Sequence, residues 1–387
     1  MNKKPLRINA VNLLDDGHRL EFTIEIDAKI YPIYFYSKDA RFIKSTEALI
    51  ATALLPAMRL NANIEIEGEI SQSFSSCLSD IQSIYQQWNP HLKMAEISFE
   101  KINIRKHQIE KSSRVASFFS GGIDAYYTFL KNQKKIDDII FIRGFDIPLN
   151  NDFLIGSSSK QIRGIGVEFN KRVIEVETNV RSFLQQFSSL QMYYGAVLAS
   201  ISHMLSDEFG KIYIGSHDTY GKLTTTYGSH PVLDPLWSSE NMEIIHDGCE
   251  ASRLEKTRFV SNSEFALNNL RVCFANSQSV LNCGVCEKCL RTMLGLLAVG
   301  SIEKCGSFEN PIAVKNIKQI FLNPYKRASY SDILFELEKE SKNRKICYEI
   351  SKLLNRPHFV RTNIGLLKNY MKREKYRFPN VYDMLRK

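Results

Sequence analysis

The stretch RVASFFSGGIDAYYTFLK, residues 114–131, is the one from which the chain is best read. Residues 114–119 form a short apolar run of strand length, and a helix is expected from Ala125. Between them stand Ser120, Gly121, Gly122, Ile123 and Asp124. A strand that turns through two glycines into a helix aims backbone N–H groups at one point, where the helix dipole also favours negative charge. A Cβ at either glycine would block close approach of the backbone to an anion, and Ser120 adds a hydroxyl donor. The turn therefore reads as a phosphate cradle. It does not fit the pattern GxxxxGK[ST], because no Lys-Ser or Lys-Thr follows the glycines.

Around this turn, strand and helix signals alternate: strands at 138–143, 172–177, 211–214 and 242–245, with helices from Val180 and over 192–207. Such alternation predicts an α/β domain, a parallel sheet with helices on both faces. Ligands in these sheets sit outside the carboxyl ends of the strands. Polar residues follow each predicted strand: Arg143-Gly144-Phe145-Asp146, Gly215-Ser216-His217-Asp218 and His246-Asp247-Gly248-Cys249-Glu250.

Three further signals belong to this region. Arg253 and Lys256, in SRLEKT, are three apart and share one helix face, so both can meet one polyphosphate. Gly228 to Trp237 reads GSHPVLDPLW, a stiff loop that offers His230 and Asp234 for protons or polar edges and Trp237 for stacking a planar substrate. Cys273, Cys283, Cys286 and Cys289 form C-x9-C-x2-C-x2-C. Four thiolates at these spacings close a tetrahedron around Zn²⁺ and leave no open position, which makes the expected role structural; an iron–sulfur cluster is the competing centre. Of the other cysteines, Cys77 and Cys347 read as structural. Cys249, in HDGCE, is the one placed to act as a nucleophile, although burial beside Glu250 would favour inertness.

SGGID resembles the SGGxDS signature of the PP-loop ATP pyrophosphatases, and SRLEKT resembles their second phosphate motif. SGGID, SRLEKT and the four cysteines in that order are similar to 7-cyano-7-deazaguanine synthase and its relatives, over roughly residues 114–306. One position departs: where the family has Ser or Thr after the Asp, this chain has Ala125. The resemblance implies ATP and Mg²⁺ as cofactors, with Ser120 to Asp124, Gly215 and Ser216 binding the nucleotide and Asp124, Arg253 and Lys256 serving the phosphates and metal. It implies cleavage of ATP to AMP and pyrophosphate, with adenylation of a carboxylate or amide on a small-molecule or deazaguanine-type acceptor. Ammonia or an amine then displaces AMP. Two alternatives stand beside this ligase: a PP-loop enzyme that thiolates RNA or forms lysidine, and a silent ATP-binding module.

Flanking regions are expected on both sides of the α/β domain. Residues 1–110 alternate over 6–42 and 63–70, with helices over 45–60 and 76–87, as a small α+β domain; Pro56 is expected to kink or end the first helix. Residues 111–306 are the catalytic domain, and residues 307–387 a basic helical region. From Gly306 onwards the sequence carries 18 Lys and Arg against 8 Asp and Glu, while the whole chain is only +9, so the basic character belongs to this end. Helices are expected over 313–322, 331–340, 347–354 and 365–370. Tyr325, Tyr330, Tyr370 and Tyr376 lie among the basic residues, a composition that suits nucleic acid as a partner. With 44% hydrophobic and 24% charged residues and no apolar run of spanning length, the chain reads as soluble, without a membrane partner. The early lysines precede no apolar core or cleavage site, so a cytoplasmic address is expected.

Overall fold

A computed structural model describes residues 5–103, 114–276, 279–322, 326–340 and 342–356. The chain forms two compact units, one of Met1–Ser252, Asn269–Arg271 and Asn276–Leu281, the other of Arg253–Asn268, Val272–Ala275 and Asn282–Lys387.

The first unit opens with an antiparallel meander, β1 (Pro5–Leu14), β2 (Arg19–Ile26) and β3 (Lys29–Tyr36). Helix α1 (Thr46–Leu60), strands β4 (Asn63–Ile66) and β5 (Glu69–Ser71), helix α2 (Gln72–Trp88), and strands β6 (Ile97–Ser98) and β7 (Lys101–Asn103) follow. Ser45 caps α1, its Oγ accepting from Ala48 N at 3.2 Å. The helix continues through Pro56 to Leu60 rather than ending there. Every residue from Ala48 to Met58 is buried, and packing on all sides offsets the lost backbone bond.

The α/β segment then runs β8 (Val115–Phe118), α3 (Ile123–Lys131), β9 (Asp138–Arg143), α4 (Asp152–Glu168), β10 (Arg172–Thr178), α5 (Val180–Leu184), α6 (Leu190–Met204), β11 (Lys211–Gly215) and β12 (Glu243–Asp247). Its strands pair in parallel in the order β12-β11-β8-β9-β10. The chain winds outwards from β8 through β9 to β10, then returns to the other side of β8 for β11 and β12. This is a Rossmann-like α/β arrangement, and its strand order reverses between β8 and β11. The strands read as apolar runs because helices cover both faces: Ile139 to Ile142 and Val173 to Val176 are buried throughout.

The meander joins this sheet directly. Thr178 and Glu177 of β10 pair antiparallel with Phe35 and Tyr36 of β3, giving one ten-stranded sheet from β12 to β6, most of whose pairings are parallel. Three polar contacts seal the joint: Thr178 Oγ1 donates to Tyr34 O at 2.7 Å, Tyr34 N to Asn179 Oδ1 at 3.0 Å, and the Tyr34 hydroxyl to Glu177 at 3.1 Å. On one face α1 packs on α6, where the buried Thr52 and Ser200 hydroxyls meet at 2.8 Å. A division at 110/111 falls outside the described residues, and the sheet and its apolar core run continuously from residue 6 to residue 244.

The second unit contains α7 (Arg253–Val260), α8 (Glu264–Asn268), α9 (Glu287–Ala298), α10 (Val314–Lys318), α11 (Arg327–Glu338) and α12 (Arg344–Leu354). Leu254, Leu290, Leu294, Ile333 and Ile350 form its core. Tyr330, expected among base-stacking residues, is fully buried in that core with its hydroxyl 3.4 Å from Glu287. Tyr325, Tyr370, Tyr376 and the helix expected over 365–370 lie outside the described residues. No described helix is long and apolar enough to cross a membrane.

Candidate functional site

The reversal of strand order places a crevice at the carboxyl ends of β8 and β11. Ser120 to Asp124 follow β8, and Gly215 to Asp218 end and follow β11. Gly121 takes φ +78°, a left-handed conformation that glycine adopts without strain, and Gly122 caps α3 with no side-chain bond to the helix end. Ser120 Oγ stands beside Gly122, within 3.5 Å of where a Cβ there would lie. Gly215 fits against the first turn of α3, where a Cβ would come 3.0 Å from the Asp124 carbonyl. The two strand ends are thus packed backbone to backbone.

Residues that the sequence reading did not single out complete this end of the sheet. Arg271 N donates to Gly121 O at 2.8 Å, which brings a guanidinium-bearing residue, itself 5% exposed, against the glycine turn. Asp124 buries a carboxylate oxygen, and Asp146, after β9, buries Oδ1 with no hydrogen-bond partner. Tyr194 lies among these charges. Burial pushes its hydroxyl well above the usual range, Asp146, Tyr227 and Asp124 add to the shift, and Arg271 opposes it. Tyr227 stacks at 4.1 Å on the His217 ring and at 5.8 Å from Tyr194. No spacing rule ties Tyr194, Tyr227 and Arg271 to SGGID; only the fold brings them together.

Beside β11, the end of β12 carries a buried polar relay. His246 Nδ1 and Asp234 Oδ2 are 2.7 Å apart, and the same carboxylate accepts Ser229 Oγ at 2.7 Å. Burial works against a charged imidazole, but the Asp234 bond and the Cys249 sulfur outweigh it and push the His246 pKa up to about 9. Cys249 Sγ donates to Ser216 Oγ at 3.2 Å.

In the second unit the sulfurs of Cys273, Cys283, Cys286 and Cys289 all lie within 4.8 Å of one another. Cys273 to Cys286 is 3.8 Å and Cys283 to Cys289 is 4.0 Å. A tetrahedron with arms of about 2.3 Å has edges of about 3.8 Å, so the cluster can hold a metal such as zinc. Backbone amides of Ala275, Cys286 and Cys289 donate to three of the sulfurs, which favours thiolates. Hydrogen bonding to the Cys273 sulfur pushes the Cys286 and Cys289 thiols up, a crowding that a divalent cation relieves.

Compared with protein families, curated proteins and solved structures, this chain matches none.

The remaining predicted residues divide. Trp237 has no exposed surface and packs on Phe74 at 6.0 Å, so it is a core residue and not a platform for a planar substrate. Its prolines hold the chain in a short 3-10 turn that drives the ring inwards. His230 is committed on both ring nitrogens, to Leu223 O at 3.1 Å and from Val232 N at 3.2 Å, and burial lowers its pKa. It braces the loop as a neutral ring. Asp234 takes part in chemistry only through His246. Arg253 and Lys256 open α7 in the second unit, where Lys256 is 1% exposed and Arg253 helps to hold Glu287 below the usual carboxylate range, behind Arg291 and Lys326. Their expected role at a polyphosphate rests on the motif alone.

A cleft of about 890 Å³ lies elsewhere in the first unit, lined by Lys44, Glu47, Glu67, Glu69, His203 and Glu240 among others. Four carboxylates against one lysine repel a polyphosphate, and none of the strand-end residues lines it.

Proposed function

We propose that the chain is an ATP-dependent adenylating ligase that splits ATP to AMP and pyrophosphate and joins a carboxylate or amide acceptor to ammonia or an amine. The observation that carries this reading is the position of the Ser120–Asp124 turn: a glycine turn into an uncapped helix, at the point where a parallel sheet reverses its order. The order of SGGID, SRLEKT and the four cysteines supports the PP-loop assignment within that fold.

In this reading the backbone N–H groups at the start of α3, the Ser120 hydroxyl and the Arg271 guanidinium receive the phosphates. Gly215 allows the β11 end to approach them closely. Asp124 and Asp146 offer hard oxygen donors, the ligand type that Mg²⁺ takes, and the buried Oδ1 of Asp146 without a partner fits that role. Bound there, Mg²⁺ neutralises the leaving pyrophosphate. The chain's own task is electrostatic: preorganised amides and a buried cation stabilise charge on the α-phosphorus as the acceptor oxygen attacks. Tyr194, Tyr227 and His217 form an aromatic wall on the same side, suited to a planar acceptor or to adenine. The zinc site has a structural role.

The test is nucleotide product analysis with Mg-ATP, ammonium and a panel of carboxylate acceptors that includes carboxy-deazaguanine. AMP and pyrophosphate formed with one acceptor, and lost in Ser120→Ala and Asp124→Ala, support the ligase and name its substrate class. Release of ADP, or tight ATP binding without turnover, overturns it.

A further inference from the structure

Asp234, His246 and Cys249 come from one loop and one strand end, yet their side chains form a single line. His246 is on β12, and Gly248, at φ +100°, turns the chain so that Cys249 comes back beside it. With Nδ1 committed to Asp234, the imidazole has only Nε2 to offer. That atom is buried in a side chain 2% exposed, has no regular hydrogen bond, and interacts with the Cys249 sulfur. Asp234 in turn is fixed by Ser229 Oγ at 2.7 Å and His230 N at 3.3 Å, so its orientation is not free to drift. A carboxylate that orients an imidazole whose other nitrogen serves a thiol is the arrangement that activates cysteine nucleophiles. A structural cysteine needs none of these partners.

We propose that Cys249 is a nucleophile, with His246 as its proton acceptor, Asp234 as the positioning residue for His246, and an activated acyl group as its electrophile. The proposal rests on the adenylating reading for the source of that acyl group. As the Cys249 sulfur bonds to the acyl carbon, its proton passes to His246 Nε2, the bond from that carbon to the AMP oxygen breaks, and AMP leaves with the electron pair. An amine then attacks the thioester carbon; the carbon–nitrogen bond forms, the carbon–sulfur bond breaks, the amine loses a proton, and the thiolate is regenerated. Location supports this order. Cys249 touches Ser216 at 3.2 Å, and Ser216 follows Gly215, which packs on Asp124. An acyl group seated at the Ser216 turn displaces that hydroxyl contact to reach the sulfur, which is otherwise 2% exposed.

Two experiments on the full chain decide it. The first follows iodoacetamide labelling of Cys249 by peptide mass spectrometry, with Cys77 as internal reference. The expected labelling is nearly independent of pH between about 7 and 9 and about tenfold slower in His246→Gln at pH 7, with Cys77 unchanged. Labelling of Cys249 that climbs about tenfold per pH unit like a simple thiol overturns the proposal, as does equal labelling in His246→Gln or none at all while Cys77 reacts. Asp234→Asn, checked for folding by its melting curve, should show the same loss as His246→Gln. The second experiment adds Mg-ATP and acceptor without amine and looks for a hydroxylamine-labile acyl adduct on Cys249. AMP formation without an adduct, and with equal amide yield in Cys249→Ala, sinks the nucleophile while the adenylating reading stands. No AMP from the wild type sinks adenylation, and the labelling result then stands by itself.

Discussion

The Arg271 amide holds the Gly121 carbonyl at 2.8 Å, and an added Cβ at Gly121 would lie 3.2 Å from Arg271 Cβ. The glycine turn is therefore pinned from outside as well as shaped from within. Gly121→Ala faces two penalties, a left-handed backbone at φ +78° and a contact tighter than the neighbour accepts. The expected cost is about 1–2 kcal/mol of stability, with ATP affinity reduced about tenfold because the amides no longer converge. Urea denaturation and titration calorimetry measure the two effects separately. An unchanged affinity would remove the turn from the nucleotide site.

A second prediction concerns pH. His246 has its pKa raised from 6.5 to about 9 in the folded chain. A group raised on folding binds its proton more tightly in the native state, so its contribution is full below about pH 6.5 and is lost as pH rises through 9. Stability should fall over that window by up to roughly 3 kcal/mol, discounted for other groups titrating alongside it. Asp234→Asn should flatten the slope, since the carboxylate is the main favourable partner. Urea midpoints at intervals of half a pH unit check both, and a slope that survives in Asp234→Asn would assign the effect to another group.

How far such sites can be read without coordinates depends on whether their parts are near in sequence. The glycine turn and the four cysteines are local patterns, and both keep their expected form. Trp237 and His230 were read from composition, and the tertiary packing of the loop turned both inwards. The His246–Asp234 contact spans twelve residues with no spacing rule to betray it. Helix α4 was missed because DFLIGSSSKQIRGIGVE carries three glycines and three serines, and its burial of Leu154, Ile155, Ile162 and Ile165 outweighs that poor propensity. The pairing of Thr178 with Phe35 crosses more than 140 residues, and a period-two pattern specifies a strand without naming its neighbour.

The cysteine cluster leads to a prediction on metal content. With sulfur separations of 3.8 and 4.0 Å, the second unit should purify with about one zinc per chain. Cys286 also caps α9, its sulfur accepting from Cys289 N, so Cys286→Ser removes a ligand and weakens a helix end together. Loss of the metal in that variant, or by chelation, should lower the melting temperature by about 10 °C or more. Elemental analysis with differential scanning calorimetry tests this. A metal-free protein with an unchanged melting curve would show that the four thiols stand without an ion.

The last prediction belongs to the opposite end of the sheet. Asp138, at the start of β9, is fully buried and accepts from Arg114 Nη2 at 2.6 Å, ahead of β8, and from Arg172 Nε at 2.6 Å, at the start of β10. One carboxylate thereby ties the amino ends of three neighbouring strands, the same strands whose order sets the crevice at their other end. In Asp138→Ala both guanidiniums lose this partner, and Arg172 keeps Glu208 at 2.7 Å. Because Arg114 and Arg172 are 46% and 38% exposed, water recovers part of the loss. The cost should therefore be about 2–3 kcal/mol, below that of stranding a fully buried charge. Asp138→Asn keeps the shape and some of the hydrogen bonding, so it should fall between the two. Since the residue is remote from the phosphate turn, ATP affinity below the melting range should change less than twofold, roughly 0.4 kcal/mol. Stability loss with intact affinity marks a brace of the sheet; equal losses of both would mean that this end of the sheet sets the geometry of the crevice.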